Sequence, residues 1–383
     1  MERIYLDHNA TTPVRPEVAE AMARVLREVH GNPSSVHAEG AAARAELDRA
    51  RERVAALLGV VPDGLVFTSG ATEANNTALC AVAAGRPDGR RHVVSTTVEH
   101  PSAEAALAWL EARGHPVSRV PVGRDGRVDA AAVVAALRDD TALVSVIWAN
   151  NETGAIQPVE AIAEAARARG VWVHSDATQA VGKHPLPPAL EVVDLLSLSA
   201  HKFGGPKGAG ALLVRPGLPF APLLLGGPQE RRRRGGTENL AGIVGLGVAC
   251  ERAAAELTGR PARDAALRDR LWRGLEAAVP GAVRNGDPAH TLANTLNASF
   301  PGLAGELLVQ ALDLEGVSVS SGAACHSGSI EPSAVLAAMG LDADTARGTL
   351  RFSVGSGNDI AQIDRVLALL PPLVERIRAS EAA

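Results

Sequence analysis

Short apolar runs alternate with helix-length stretches through the first half of this chain and beyond, and that alternation limits the fold more than any other feature. Leu65–Thr68, His92–Thr96, Val117–Val122, Ala142–Trp148, Val171–His174, Leu195–Ser199 and Gly210–Val214 read as buried strands. Helical patterns lie between several of them: Thr72–Ala84, Pro101–Arg113, Asp129–Leu137 and Pro158–Arg169. Strand, helix, strand, helix predicts an α/β domain with a mostly parallel, seven-stranded sheet. Alanine is so frequent that it carries no weight in these assignments.

After about Arg260 the pattern changes. A long helical segment, Ala262–Ala278, leads to sparser strands at Thr295–Phe300, Gly316–Ser320 and Thr349–Val354, and a last helix runs from Asp359 to Arg378. This predicts a large domain over residues 1–260 and a smaller α+β domain over 261–383. Residues 1–15 are candidates to pack with the small domain, and the helix near Pro16–His30 suits either. A length of 383 residues accommodates two domains.

Composition removes several functions. The 38 Lys+Arg against 43 Asp+Glu leave a net charge of −5, and aromatics are 3% with Tyr5 the single tyrosine, so neither a basic nucleic-acid surface nor a base-stacking platform is expected. Three cysteines, Cys80, Cys250 and Cys325, are too few and scattered for a disulfide framework or a CxxC metal site, and suit a reducing compartment. The opening MERIYLDHNATT has no basic region leading into an apolar one. Leu240–Cys250 is too short to cross a bilayer. A cytoplasmic enzyme without membrane or direct nucleic-acid partners is the expectation.

Reactive side chains gather at one kind of place. His100 follows the strand His92–Thr96. Asn150 and Asn151 follow Ala142–Trp148. Asp176 and Gln179 follow Val171–His174, and Ser199, His201 and Lys202 stand at the end of Leu195–Ser199. Open α/β sheets bind ligands beyond the carboxyl ends of their strands, so four such ends point to one shared site. Any one of them alone is an ordinary polar loop residue.

The segment Val66–Asn76, VFTSGATEANN, is a strand, a glycine turn and a helix start. Its backbone N–H groups with Ser69 and Thr72 suit a phosphate, or else Thr72 is a plain helix cap. No Walker or GxGxxG pattern fits. Lys202, at the end of an apolar strand and followed by glycines, is placed for a lowered pKa and Schiff-base chemistry. Asp176 is the residue type that holds a protonated pyridine nitrogen. Phosphate cup, strand-end Asp and strand-end Lys together indicate pyridoxal 5′-phosphate. Arg351 lies on a strand whose Leu350, Phe352 and Val354 face the core, so it points the other way, where its fork suits a carboxylate.

These blocks, with LDHNATTP (6–13), GNPSS (31–35), FTSGATEANN (67–76), TTVEH (96–100), NNETG (150–154), HSDATQAVGK (174–183), SAHKFGGPKG (199–208), RRGGTEN (233–239), SSGAAC (320–325), EPSAVLAAMG (331–340) and LRFSVG (350–355), resemble the cysteine desulfurases of NifS/IscS type, in order over nearly the whole chain. The resemblance implies a fold-type I pyridoxal phosphate enzyme and a homodimer with shared active sites. It implies that Lys202 binds the cofactor covalently, Asp176 pairs with the ring nitrogen, Gln179 with the phenolic oxygen, and His100 stacks on the ring and shuttles protons. Ala71, Thr72, Ser199 and His201 are implied for the phosphate, and Thr237 for the phosphate of the neighbouring subunit. Asn151 is implied for cofactor or substrate, and Asn32 and Arg351 for the substrate.

Cys325 sits among glycines and small residues in SSGAACHSGSIEPS, a poor setting for a structural cysteine, whereas Cys80 and Cys250 sit in apolar helical patterns and read as core. The resemblance makes Cys325 the persulfide carrier. No resident metal is expected, with Cys325 a candidate transient ligand for iron or an iron–sulfur cluster during delivery. His326 and Ala323 depart from the small hydroxyl residues usual there. The run Arg231–Arg234 is either a solvated face or a contributor to the partner's site. The implied reaction is L-cysteine to L-alanine with the sulfur passed to a scaffold or carrier for iron–sulfur assembly or thiolation. The alternatives are a selenocysteine lyase or another lyase or transaminase on the same cofactor, or a non-catalytic dimeric subunit of sulfur assembly.

Overall fold

The computed structural model describes residues 3–381 except 87, 220 and 322–332. Its central sheet has seven strands in the order Leu65–Thr68, Gly210–Val214, Leu195–Ser199, Trp172–Asp176, Thr141–Ser145, His92–Thr96, Val117–Val120. All pairings are parallel except the two made by Gly210–Val214, which runs against both neighbours. The fold class is therefore the α/β, mostly parallel arrangement expected from the alternation.

The apolar runs lack an alternating polar face because the sheet is covered on both sides. In Gly210–Val214, Ala211 and Leu213 enter one core while Leu212 and Val214 enter the opposite one. Helices Ala71–Gly85 and Pro101–Glu111 form one covering layer, with Ala74, Ala78, Leu107 and Leu110 fully buried. The other layer includes Val159–Ala168, Leu240–Glu256, Pro16–Glu28 and Ala38–Leu58.

Ala38–Leu58 is a 21-residue helix that the sequence reading did not anticipate. Its buried stripe, Ala43, Leu47, Ala50, Val54 and Leu58, has clean helical spacing, but two of five members are the discounted alanine. The stripe seats on Leu240–Glu256 at close range. A Cβ on Gly247 would stand 2.8 Å from the Ala50 Cα, so glycine is required where the two backbones meet.

The second core gathers Leu267, Leu271 and Leu275 of helix Arg260–Ala278, Leu296, Phe300, Leu350 and Phe352, and the last helix, Ile360–Glu381. They enclose a four-stranded antiparallel sheet ordered Ser320–Ser321, Thr349–Ser353, Thr295–Ser299, Val283–Arg284. Ile4 and Leu6 join this core, and Ile4–Tyr5 pairs in parallel with Val317–Ser318. The chain start is thus stitched to the C-terminal sheet, while Val18 and Val25 of the following helix pack in the large core. Among the described residues no helix is long and apolar enough to cross a membrane.

Candidate active site

A cavity of 480 Å³ opens where the parallel strands end. Asp176 is the last residue of its strand, which runs two residues past the His174 end read from the sequence, and is 3% exposed. Its Oδ2 accepts from Asn75 Nδ2 at 2.6 Å and its Oδ1 from the Thr178 backbone N–H at 3.0 Å. The carboxylate is fixed from behind and faces the cavity, which it lines. Thr178 Oγ1, also on the lining, is buried with no partner among the described residues.

Helix Ala71–Gly85 starts at the cavity wall with Gly70 as its cap residue and no side chain capping it. Its first N–H groups, at Ala71 and Thr72, are the ready-made anion site of an open helix N-terminus. A Cβ on Gly210 would stand 2.7 Å from the Gly70 Cα, so the neighbouring antiparallel strand holds this turn in place by backbone contact. Ser199 and His201 line the same wall. His201 contacts Thr11 Oγ1 through Nδ1 at 3.1 Å, and burial lowers its pKa to about 4, so it is neutral near pH 7.

His100 caps helix Pro101–Glu111. Its Nδ1 accepts from the Ser102 N–H at 3.1 Å and lies 2.7 Å from Ser102 Oγ, which leaves Nε2 without a hydrogen-bond partner among the described residues. Burial lowers the His100 pKa, against the opposing charge of Asp176. Lys202 reaches in from the single 3₁₀ turn after its strand, donating to the carbonyls of Asn9 at 2.7 Å and Ala10 at 2.8 Å. Burial first, and then the Arg351 charge, bring its pKa down to about 8, with Asp176 and Asp7 pulling the other way. An amine that loses its proton this readily is a competent nucleophile and base.

Gln179, Asn151 and Arg351 complete the lining. Arg351 donates to Asp7 and to the Asn151 carbonyl. Asn9 joins the halves of the site. Its carbonyl accepts from Gln179 and Lys202, its Oδ1 from Lys183 and Asn294, and its own N–H donates to Ser353 Oγ. Asn9, Asp7, Asn75 and Thr178 were missed by reading strand ends. Each lies inside a block of the sequence already singled out, and that is the signal that could have found them.

Two expected site residues lie elsewhere. Asn32 is exposed and uses its Oδ1 to accept from the Ser34 N–H. Thr237 is exposed and lines a separate hollow of 210 Å³ that shares Ser69 and Gly208 with the main cavity. Next to it Glu230, Arg231 and Arg232 take φ values of 44°, 56° and 64°, a left-handed turn that ordinary residues avoid. The buried Glu230 carboxylate holds it, accepting from Arg51 at 2.6 Å and from the Phe67 N–H at 2.9 Å. Within the arginine run, Arg231 pairs with Asp63 and Arg234 with Glu73. Cys325, His326 and Ala323 lie outside the described residues. Cys250 is buried, as expected, but Cys80, expected in the core, is only half-buried. Among the described residues no group of three or more His, Cys, Asp or Glu could hold a metal ion.

The family profile described as "Aminotransferase class-V" matches residues 4–366. The chain belongs to the class-V aminotransferase family. Among class-V relatives it is 49% identical to a protein of Cereibacter sphaeroides named "Cysteine desulfurase", over 99% of this chain and 97% of that one. It is 44% identical to "Cysteine desulfurase NifS" of Azotobacter vinelandii, over 99% and 94%. Of solved structures, a "NIFS-LIKE PROTEIN" superposes with a TM-score of 0.92 at 38% identity, covering 98% of this chain and all of that one. One titled "SspA in complex with cysteine" gives 0.81 at 34% identity, covering 92% and 98%. The class-V family depends on pyridoxal phosphate, and the cavity suits it. It offers an open helix N-terminus for a phosphate, a buried carboxylate for a ring nitrogen, an amine of lowered pKa, and a Thr178 hydroxyl without a partner among the described residues.

Proposed function

We propose that this class-V chain is a cysteine desulfurase that converts L-cysteine to L-alanine and keeps the sulfur as a persulfide on Cys325. One observation carries the reading: Lys202, Asp176, His100 and Arg351 converge on a single cavity in a chain similar along its full length to proteins named cysteine desulfurase. Ala71, Thr72, Ser199 and His201 would hold the cofactor's phosphate, Asp176 its ring nitrogen, Gln179 its phenolic oxygen and His100 its ring face. Bound pyridoxal phosphate supplies a carbonyl for the amino group of cysteine and a sink for the electrons left at Cα.

The residues do the rest. Arg351 receives the substrate carboxylate, with Asn151 assisting. Lys202, with its pKa near 8, takes the Cα proton and later returns it. His100, neutral at pH 7, moves protons to and from the departing sulfur. The Cys325 thiolate forms an S–S bond to the substrate sulfur as the C–S bond breaks. The carbon keeps the electron pair and gains a proton, becoming the methyl group of alanine. The persulfide then passes to a scaffold or carrier protein.

The working unit is a homodimer in which Thr237 reaches the neighbouring subunit's phosphate, acting in the cytoplasm. Residues 261–383, joined by the N-terminal strand, form the small domain that carries Cys325. Incubation of the holoenzyme with L-cysteine and dithiothreitol tests the function. Alanine and sulfide should form in equal amounts, the thiol reductant being oxidised as it releases sulfide. Sulfide accompanied by pyruvate and no alanine would replace this reading with a β-lyase.

A further inference from the structure

One buried group is left unused by this reaction. Lys183 is 3% exposed, and its amine donates to two amide oxygens, Gln179 Oε1 at 2.5 Å and Asn9 Oδ1 at 3.1 Å. The charged groups around it are Lys202, Arg260 and Arg351, with Asp264 opposing them, and His8 faces it from the N-terminal segment. An ammonium buried among cations sheds its proton readily. A lysine amine donates N–H bonds in either charge state, so the contact to Gln179 does not depend on which form is present.

The amide of Gln179 has two unlike ends. Its Oε1 faces Lys183, and its Nε2 donates to the Asn9 carbonyl at 2.9 Å. The second Nε2 hydrogen remains for the cavity, which Gln179 lines. Turning the amide over would set its oxygen against the Asn9 carbonyl, losing that bond, and would turn its NH₂ toward an amine whose N–H groups are given to Gln179 Oε1 and Asn9 Oδ1.

We propose that Lys183 is a positioning residue that locks the Gln179 amide so that an N–H, and not the carbonyl oxygen, faces the phenolic oxygen of the bound cofactor. This rests on the reading of Gln179 as the partner of that oxygen. A donor there stabilises the oxygen's anionic form and so lowers the pH at which the visible band of the resting holoenzyme changes.

The test is a pH titration of that band in holoenzyme without cysteine. Gln179→Ala should raise the midpoint by about one pH unit. Lys183→Met should raise it in the same direction, Lys183→Gln, which keeps a donor, should restore it, and Gln179→Ala with Lys183→Met should show no more than Gln179→Ala alone. A midpoint unmoved by Lys183→Met, or shifts that sum in the double variant, overturns the assignment, since a charge acting through space would persist without Gln179. An unmoved midpoint in Gln179→Ala removes the reading of Gln179 and this assignment with it. If Lys183→Met does not fold, Lys183→Thr replaces it: too short to reach Oε1, it must raise the midpoint as well.

Discussion

Arg351 is held between Asp7 and Asn151: its Nη2 donates to Asp7 Oδ1 at 2.6 Å and its Nη1 to the Asn151 carbonyl at 3.0 Å, while its Nε is buried with no partner among the described residues. Two parts of the chain far from one another thus fix one guanidinium on the cavity wall and engage two of its five N–H donors. A carboxylate arriving there meets a fixed fork, the geometry in which arginine binds such groups best. Arg351→Ala should therefore raise KM for L-cysteine and lower kcat/KM by roughly 30- to 150-fold, the loss of a charged hydrogen-bonded pair of about 2–3 kcal/mol. Arg351→Lys should recover only part of it. Steady-state kinetics with cofactor absorbance as a control would check both, and an unchanged KM counts against this role.

Lys202 has two neighbouring lysines that test its assignment by comparison. Lys207 lines the same cavity, and Lys183 is buried behind it. Borohydride reduction of the yellow holoenzyme followed by peptide mapping should place the label on Lys202. Lys202→Ala should cut turnover by at least ~10³-fold, about 4 kcal/mol in the barrier. Label on Lys183 or Lys207 would remove Lys202 from its place.

Strand positions were legible because the sheet is buried on both faces, which writes each strand as an unbroken apolar run. Leu65–Thr68, His92–Thr96, Leu195–Ser199 and Gly210–Val214 have the bounds that the runs suggested. The strand-end residues Asp176, His100 and Lys202 were legible for the same reason, since a polar residue stands out after such a run. Ile4–Tyr5 was not, because two residues carry no periodicity. Nor was Asn9: its partners Gln179, Asn294 and Ser353 lie far along the chain, and only the folded N-terminal segment brings them together. Side chains that meet through tertiary contact leave no spacing in the sequence.

Cys325 carries the proposed function. Cys325→Ser should leave the fold and the cofactor spectrum intact, yet abolish persulfide formation and lower alanine production at least ~10³-fold, about 4 kcal/mol. Cys80→Ala and Cys250→Ala should leave turnover alone and change stability by roughly 1–2 kcal/mol at most. Cys250 is buried, and burial pushes its thiol well above the ordinary range, which keeps it unreactive. Release of sulfur by Cys325→Ser at the parent rate would contradict the mechanism.

Thr237 lines a hollow beside the main cavity, with Ser69 and Gly208 common to both, and its proposed role in a partner's site can be tested by complementation. Mixing Lys202→Ala protein with Thr237→Ala protein should yield heterodimers with one site that carries neither substitution. Activity should rise above that of both variants, towards half the unsubstituted protein's value per heterodimer. A sedimentation measurement showing a fully active monomer would end the shared-site reading.

His174 makes stability fall on the acid side. The ring lies in the middle of the sheet, with Nδ1 2.9 Å from Ser145 Oγ and Nε2 3.0 Å from Ser197 Oγ, and burial lowers its pKa from 6.5 to about 4, against the pull of Asp176. The unfolded chain therefore binds this proton between pH 6.5 and 4 while the folded chain does not. Stability contributed by the neutral ring is present above the unfolded pKa and declines as pH falls through that window. Glu99 acts with the opposite sign. Burial raises its carboxyl to about 8, so its contribution declines as pH rises from 4.5 towards that value. Comparing the parent with His174→Gln cancels the Glu99 effect, which both proteins share. Between pH 7 and pH 5 the parent should lose about 2 kcal/mol more than the variant in urea unfolding. Equal losses in the two proteins would mean that His174 is protonated in the folded state, with its proton accommodated between Ser145 and Ser197.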